Sequence, residues 1–174
     1  MPLTWTDLRH LLPVEPANPL TWRALSMVNS IVVHWDGGPV IAEPYDALAY
    51  YAGEARFHIR KDWGTAAKPV YGYGLMYHSK IHRSGGAYLT RPFEHVVWHA
   101  GAINDRSLAV GVDATVGQDA TDEQVETLGL VLDEWTARYG VSRSRVFGHS
   151  EAPANQTSCP GPRLLAFVRR YRGG

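Results

Sequence analysis

The sequence predicts an α/β fold in a single domain, because strand-like and helix-like segments alternate along the chain. Short apolar runs at 30–34 and 107–116 are rich in β-branched residues, as buried strands are. The segment 121–139 instead repeats apolar residues at helical spacing. With 174 residues, 45% of them hydrophobic, the chain is long enough to bury one sizeable core.

The individual elements follow from these periods and from the residues that start and stop them. The clearest helix begins at Thr121, which can form a capping box with Gln124, and ends at Gly140. Residues 1–28 are predicted to be an N-terminal arm packed on the domain formed by 29–174. In chain order we predict a helix over 4–12, a strand over 30–34, a helix over 44–62, a strand over 70–78, a hairpin turn at 83–86, a strand over 107–116, a helix over 121–139, a strand ending at 147 and a helix over 162–171.

Charge and composition exclude several classes of protein. Lys+Arg and Asp+Glu both number 17, so no net field attracts nucleic acid or an anionic membrane. The single cysteine, Cys159, cannot form an internal disulfide. Asp7 and Arg9 interrupt the N-terminus where a signal peptide needs an apolar run, and no segment is long and apolar enough for membrane insertion. We expect synthesis in the cytoplasm without a signal peptide, and a monomer.

A metal-binding pattern lies in the segment 146–161, VFGHSEAPANQTSCPG. His149 follows a predicted strand, and Cys159 lies on a loop rich in proline, asparagine and glycine. Neutral imidazole and thiolate are ligands that zinc prefers. His34 also ends a predicted strand, and side chains at adjacent strand ends converge on one crevice in an α/β sheet. These three residues are the candidate ligands; the alternative is a buried cysteine near an unrelated histidine.

Two further histidine pairs, His78 with His82 and His95 with His99, have a spacing that can bind zinc on one helix face. Neither pair lies in a helical pattern, so we expect no second metal site there.

Tyrosines alternate along the predicted strand 70–78 and share one of its faces. Such a stripe usually belongs to the core. Gly72 and Gly74 flank Tyr73, however, and glycines within a strand often mark the close approach of a ligand or of another backbone. The pattern leaves both interpretations of Tyr73 open.

Five blocks of the sequence fall in the order and spacing of a known enzyme family. They are IVVHW at 31–35, RFHIRKDWG at 56–64, GYGLMY at 72–77, WHAGAINDRSLAVGV at 98–112 and VFGHSEAPANQTSCPGPRL at 146–164. Together they resemble the zinc-dependent N-acetylmuramoyl-L-alanine amidases of the amidase-2 family, which includes phage endolysins and peptidoglycan recognition proteins. The resemblance implies a mixed central β-sheet flanked by helices, with Zn2+ in a groove. It also implies cleavage of the amide between N-acetylmuramic acid and the L-alanine of the stem peptide.

The resemblance gives each candidate residue a role by its position. His34, His149 and Cys159 become the zinc ligands, Tyr73 the catalytic tyrosine and Thr157 the polar residue beside the metal. Three protein ligands leave zinc a fourth position for water, and a nearby hydroxyl donor can stabilise charge on the carbonyl oxygen.

The substrate groove and the general acid/base complete the predicted site. We expect Trp35, His99 and Asn104 to line the groove. Many relatives have a histidine after the tyrosine, where this chain has Gly74, and some carry a glutamate where it has Gly111. The segment 65–69 also looks longer than in relatives, which would change one groove wall. The general acid/base therefore stays open among Tyr73, Glu151, Asp113 and His99, and an alternative for Glu151 is to support His149 without moving a proton.

The expected function is hydrolysis of bacterial peptidoglycan, with 29–174 as a zinc amidase catalytic domain. A phage endolysin that reaches the wall after release through a membrane lesion fits these features, and so does a cytosolic amidase of wall recycling. Two alternatives belong to other classes: a peptidoglycan-binding module without catalysis, and a cysteine peptidase with Cys159 as nucleophile. Binding modules typically lose a ligand or the tyrosine, and no histidine follows Cys159 as the papain-like order requires, so hydrolysis by zinc is favoured.

Overall fold

The structure is a computed structural model that describes residues 3–64, 67 and 69–173. Within these residues the chain forms a six-stranded sheet, a two-stranded sheet and three α-helices. The strands are β1 (Trp5–Asp7), β2 (Thr21–Trp22), β3 (Ser30–Trp35), β4 (Ser79–Ile81), β5 (Ala87–Leu89), β6 (His95–Val96), β7 (Ser107–Val112) and β8 (Val146–Gly148). The helices are α1 (Ala47–Arg60), α2 (Asp122–Tyr139) and α3 (Pro162–Gly173), with short 3-10 helices at Leu25–Met27, Gly101–Arg106, Arg143–Arg145 and His149–Glu151.

The main sheet has the strand order β1-β5-β4-β7-β3-β8. Its centre is parallel, because β7 pairs with both β3 and β4, and β8 pairs with β3, in that sense. The hairpin of β4 and β5 adds an antiparallel pair, with its turn at the predicted 83–86. The predicted α/β fold, a single domain with a mixed central sheet flanked by helices, is confirmed.

β3 is the strand that positions the site, and all of its residues are buried. Ile31, Val33 and Trp35 belong to the main hydrophobic core, which also contains apolar residues of α2 and α3. Side chains alternate along a strand, so Val32 and His34 point to the opposite face of the sheet. The strand thus delivers His34 to the face away from α2 and α3.

Local sequence explains where the helices begin and end. Thr121 and Gln124 form the predicted capping box at the start of α2, and Gly140 closes the helix in the left-handed conformation with φ 65°. Asp46 begins α1 by accepting a hydrogen bond from the backbone N–H of Ala49 at 2.8 Å. In the part of the chain that the structure describes, no helix combines the length and the apolar character needed to cross a bilayer.

The predicted helix over 4–12 is wrong, because this segment begins with β1. Trp5–Asp7 pairs in parallel with β5 at the edge of the main sheet. Only one turn follows, in which the N–H of Leu12 donates to the carbonyl of Leu8 at 3.2 Å. Leu8 and Leu12 are both buried against residues of α1. The leucine spacing that predicted a helix therefore reflects this single turn. The conformation of residues 5–7 is determined by their pairing with β5.

The predicted strand over 70–78 is also wrong, since regular pairing starts only with β4 at Ser79. The preceding segment packs against the end of α1 instead. The N–H of Met76 donates to Nδ1 of His58 at 3.2 Å, and a Cβ on Gly72 would lie 2.7 Å from the carbonyl oxygen of His58. Gly72 therefore marks the close approach of another backbone, one of the two interpretations that the sequence left open. The expectation of a long segment 65–69 falls largely on residues 65, 66 and 68, which lie outside the described residues.

Candidate metal centre and substrate cleft

Two neighbouring strand ends bring the two predicted histidine ligands together. β3 and β8 are parallel and in register at Val33 and Gly148, so His34 and His149 follow at the same level. Their ring centroids lie 4.5 Å apart. The loop after His149 returns Cys159 to the same place, where a hydrogen bond of 2.8 Å from the N–H of Ser150 to the carbonyl of Cys159 holds it.

The three side chains offer donor atoms that lie within 4.8 Å of one another. The Sγ atom of Cys159 is 3.7 Å from Nδ1 of His34. Two such ligands of one tetrahedral zinc ion lie about 3.5 Å apart, given bonds of about 2.0 and 2.3 Å. Among the described residues, this is the one group of three or more metal-binding side chains with such a spacing. The structure therefore brings together the three residues that the sequence selected.

The protonation states also suit a metal ion. Burial lowers the pKa of His34 well below its usual value and lowers that of His149, so both imidazoles are neutral at pH 7. Burial raises the pKa of the Cys159 thiol to about 12, although the N–H of Trp35 donates to its sulfur at 3.4 Å. A buried thiol of this kind is a poor nucleophile alone, and a bound divalent cation would convert it to thiolate. This residue set fits Zn2+ and argues against a cysteine peptidase.

The structure places Tyr73 away from the three ligand candidates. Its ring lies 4.8 Å from the guanidinium carbon of Arg91 and packs edge-on against His95. It lines a separate small cavity with Pro19 and Leu20 of the arm. Tyr73 cannot donate a hydrogen bond at the metal centre from there, so its predicted position in the catalytic site is wrong.

Tyr77 occupies the position that was predicted for Tyr73. Its ring centroid is 5.2 Å from that of His34, and it lines the cleft around the three ligand candidates. Burial, and then the neighbouring Cys159, raise the pKa of Tyr77 well above its usual value, so the phenol keeps its proton and can donate it in a hydrogen bond. Tyr77 is followed by His78, which removes the departure from the family pattern noted at Gly74.

The cleft around the ligand candidates has a volume of about 330 Å³. Thr157 lies on its rim and is exposed; its Oγ1 accepts a hydrogen bond from the N–H of Cys159 at 3.1 Å, which leaves its own proton free to donate. Trp35, predicted for the groove, lines the cleft but is buried. The other residues that line the cleft include Asp36, Phe57, His58, Lys61, Trp63, Met76, Trp98, His99 and Val116.

Glu151 does not face the cleft. It accepts hydrogen bonds at 2.8 Å from Nε of Arg169 and at 2.9 Å from Arg172, both on α3. Burial would raise its pKa, but the two arginines lower it, so the carboxylate is ionised and paired. His149 instead has its Nε2 atom 2.9 Å from Oδ1 of Asn155. The structure thus contradicts both roles considered for Glu151, as proton carrier and as support for His149.

The two remaining groove residues lie side by side. His99 lines the cleft, yet both of its ring nitrogens are engaged, with His34 and with Ser107, each at 2.9 Å. No ring nitrogen is therefore left to act as a general acid/base. Asn104 accepts hydrogen bonds at Oδ1 from the N–H groups of His99 and Ala100, at 3.0 and 2.7 Å, and borders an adjoining part of the groove.

A buried lysine that the sequence analysis did not single out lies next to the cleft. The side chain of Lys80 is fully buried and pairs with Asp36, with Glu54 at 2.9 Å and with Asp113 at 3.1 Å. Burial alone would lower the pKa of Lys80, but the three carboxyl groups raise it well above its usual value, so it stays charged. Asp113 is fully buried in this cluster and does not line the cleft, which excludes it as a proton carrier to substrate.

Lys80 also explains the glycine at position 111. A Cβ on Gly111 would lie 2.8 Å from Cδ of Lys80 and 3.0 Å from Cδ2 of Tyr77. The lysine chain from β4 thus fills the space that a glutamate at 111 would need. No sequence signal singles out this residue: Lys80 lies between Ser79 and Ile81 in β4, a strand that the prediction over 70–78 does not include.

The two other histidine pairs, His78 with His82 and His95 with His99, belong to no group of three or more metal-binding side chains among the described residues. Nδ1 of His78 accepts a hydrogen bond from the N–H of Ala109 at 2.9 Å, and its Nε2 faces the guanidinium of Arg23 at the same distance. His95 is similarly engaged by Arg91 at 2.8 Å. These histidines hold the backbone around the site together.

Fold and site together define a class of protein. A mixed sheet whose strand ends present two neutral imidazoles and a thiol, beside a protonated tyrosine in an open cleft, offers three suitable ligands to a divalent metal ion. Residues 24–162 match the family model described as N-acetylmuramoyl-L-alanine amidase. The chain belongs to this amidase-2 family.

Individual relatives agree with the family. The chain is 30% identical over 90 residues to the 1,6-anhydro-N-acetylmuramyl-L-alanine amidase AmpD of Enterobacter cloacae; the match spans 47% of this chain and about half, 48%, of that protein. Its fold is similar to that of the endolysine amidase LysCS from Clostridium intestinale, with a TM-score of 0.67 and 18% identity over 98% of this chain and 96% of that one. It is also similar to Drosophila peptidoglycan recognition protein SD, with a TM-score of 0.75 and 17% identity over 97% and 94%.

Proposed function

We propose that this chain is a zinc-dependent peptidoglycan amidase that hydrolyses the bond between N-acetylmuramic acid and the L-alanine of the stem peptide. The observation that carries the proposal is the convergence of His34, His149 and Cys159 in one cleft with Tyr77. Membership of the amidase family supplies the bond that is cut.

The chain's own residues have distinct tasks in this reaction. The two imidazoles and the thiolate would hold a zinc ion, which would supply a Lewis acid for the scissile carbonyl and for water near neutral pH. Tyr77, whose phenol stays protonated, is placed to donate a hydrogen bond to the carbonyl oxygen as negative charge develops there. Thr157, an exposed residue of the cleft, offers a second hydroxyl donor.

Aromatic residues shape the rest of the cleft. Phe57, Trp63 and Trp98 line it, and Phe57 is 59% exposed. An apolar wall next to the reacting carbonyl excludes water and gives flat surfaces for the sugar or the peptide backbone. In the adjoining groove, the amide nitrogen of Asn104 can donate a hydrogen bond to a carbonyl or hydroxyl oxygen of the same substrate.

The biological setting is proposed to be that of a phage endolysin acting on the bacterial cell wall, with peptidoglycan as its macromolecular partner. The likeness in fold to an endolysine amidase favours this setting. The partial match to a 1,6-anhydro-muramyl amidase favours the alternative, an enzyme of wall recycling. Comparing rates on intact sacculi and on soluble 1,6-anhydro muropeptides distinguishes them, since an endolysin prefers the former.

A peptidoglycan-binding module without catalysis is the second candidate, favoured by the likeness in fold to a peptidoglycan recognition protein. The presence of all three ligand candidates and of a tyrosine beside them favours hydrolysis.

Mass analysis of muropeptides released from purified wall tests the proposal. We expect free lactoyl groups and new L-alanine amino termini, loss of this activity with a chelator, and its recovery when zinc is added back. Products cut at another bond, or activity that survives metal removal but is abolished by thiol alkylation, would overturn the zinc amidase. Binding to the wall without any released product would support the recognition module.

A further inference from the structure

We propose that His99 is a positioning residue of the metal centre, which fixes the tautomer of His34 through a chain of hydrogen bonds ending at Ser107. This inference rests on the proposed metal site and names a residue that acts on it from outside. The chain runs from Nε2 of His34 to Nδ1 of His99 at 2.9 Å, then from Nε2 of His99 to Oγ of Ser107 at 2.9 Å. Its last bond joins Oγ of Ser107 to the carbonyl oxygen of Ile103 at 2.6 Å.

The last bond sets the direction of all the others. A carbonyl oxygen can only accept, so the hydroxyl proton of Ser107 is used in the bond to Ile103. Oγ of Ser107 must then accept from His99, which places the proton of His99 on Nε2. A neutral imidazole has one proton, so Nδ1 of His99 is an acceptor and receives the proton on Nε2 of His34. His34 is left with a lone pair on Nδ1.

That lone pair is on the side of the ring where a metal ion would bind. Nδ1 of His34 is the atom that lies 3.7 Å from Sγ of Cys159. The other tautomer of His34 would point a proton at this position and could not act as a ligand. The hydrogen-bond chain therefore preselects the form of His34 that binds metal.

The surroundings hold His99 in place for this task. Its side chain is buried, and its backbone N–H donates to Oδ1 of Asn104 at 3.0 Å. Ser107 is the first residue of β7 and is fully buried, so the far end of the chain is fixed to the central sheet. Because ring and hydroxyl are both immobile, little freedom is lost when the metal binds.

The second histidine ligand follows the same plan with a different partner. Nε2 of His149 lies 2.9 Å from Oδ1 of Asn155, whose amide nitrogen donates to the carbonyl of Pro153 at 2.9 Å. Oδ1 of Asn155 therefore accepts a hydrogen bond from Nε2 of His149. The lone pair on Nδ1 of His149 stays free to bind a metal ion. Both supporting partners are uncharged, whereas a carboxylate is a common partner for such histidines.

An uncharged support suits a centre that already contains a thiolate. Two neutral imidazoles and one thiolate leave a divalent ion with a net charge of about +1. A carboxylate in the position of His99 would bring the local charge to about 0 and weaken the polarisation of the substrate carbonyl. A histidine transmits the orientation without adding negative charge.

Two measurements on the purified protein test this inference. Long-range 1H–15N correlation spectra of the metal-free protein report the tautomer of each histidine. We expect the Nε2–H form for both His34 and His99, which is independent of catalysis. Finding His34 in the Nδ1–H form would overturn the proposal, even if every variant failed to fold.

Zinc affinity, measured by competition with a chromophoric chelator, gives the second readout. We expect His99→Leu to weaken zinc binding by about 10- to 100-fold. His99→Gln, whose amide can accept from His34 and donate to Ser107, should recover most of this loss, and Ser107→Ala should weaken binding in the same direction. Unchanged affinity in His99→Leu would overturn the positioning role while leaving the amidase intact. A parent protein that binds no zinc would instead remove the proposed function.

Discussion

Replacing Tyr77 with phenylalanine is expected to lower turnover by about 10²- to 10³-fold, the cost of removing one donor to a developing oxyanion. The substitution deletes only the hydroxyl group, so the ring packing 5.2 Å from His34 should be kept. Zinc content and thermal stability should therefore match those of the parent. Turnover is measured by the release of L-alanine amino termini from wall.

Tyr73→Phe is the matched control for this experiment. Tyr73 packs against Arg91 and His95 in a separate cavity, so loss of its hydroxyl should leave turnover unchanged. A large loss in Tyr73→Phe together with full activity in Tyr77→Phe would reverse the assignment. Full activity in both variants would show that neither of these two hydroxyl groups contributes.

Replacing Lys80 with methionine is expected to destabilise the protein by about 3–5 kcal/mol, because it strands buried carboxyl groups without their cation. Asp36, Glu54 and Asp113 all pair with this one ammonium group. Urea unfolding of the metal-free protein measures the free energy of unfolding. Lys61→Met is the control: this lysine is exposed and its ammonium group contacts the ring faces of Phe57 and Trp63, so the change should shift this free energy by about 1 kcal/mol at most.

The loss in the free energy of unfolding caused by Lys80→Met should become larger as the pH rises. Burial already raises the pKa of Asp36, and raises that of Glu54 well above its usual value, while Lys80 lowers both. Without Lys80 these pKa values rise further in the folded state. A carboxyl group with a raised folded-state pKa contributes its stability at low pH and loses it as pH rises through that pKa. The destabilisation should thus deepen as the pH rises above the usual carboxyl pKa of about 4, and Glu54→Gln in the same background should relieve part of it. A pH-independent loss would contradict the ion cluster.

Strand ends were the part of the site that sequence could predict. His34 follows the apolar run IVV and His149 follows VFG, and parallel pairing of β3 with both β7 and β8 makes such strand ends converge. The capping box at Thr121 and the glycine at 140 are equally local, and both are present. These features depend on residues that are close in sequence.

Residues whose position depends on distant contacts could not be predicted in the same way. The tyrosines at 71–77 have the spacing of a strand, but the backbone of this segment is held by His58 of α1. Their spacing alone therefore does not determine which of Tyr73 and Tyr77 lies beside the metal ligands. Glu151 lies between two ligands in sequence, but α3 contributes the arginines that turn it away from the cleft. The place of Lys80 in the buried ion cluster depends on the pairing of β4 with β7, which is far from Lys80 in sequence. The clue for Tyr77 was His78 beside it, the histidine that the family pattern places after its tyrosine.

The coordination of zinc is the measurement that most directly tests the proposed centre. We expect the purified protein to bind one zinc ion per chain. X-ray absorption at the zinc edge should then show one sulfur at about 2.3 Å and two imidazole nitrogens at about 2.0 Å, with the sulfur lost in Cys159→Ser. Zinc bound without a sulfur neighbour, or a spectrum unchanged by Cys159→Ser, would contradict a centre built from His34, His149 and Cys159.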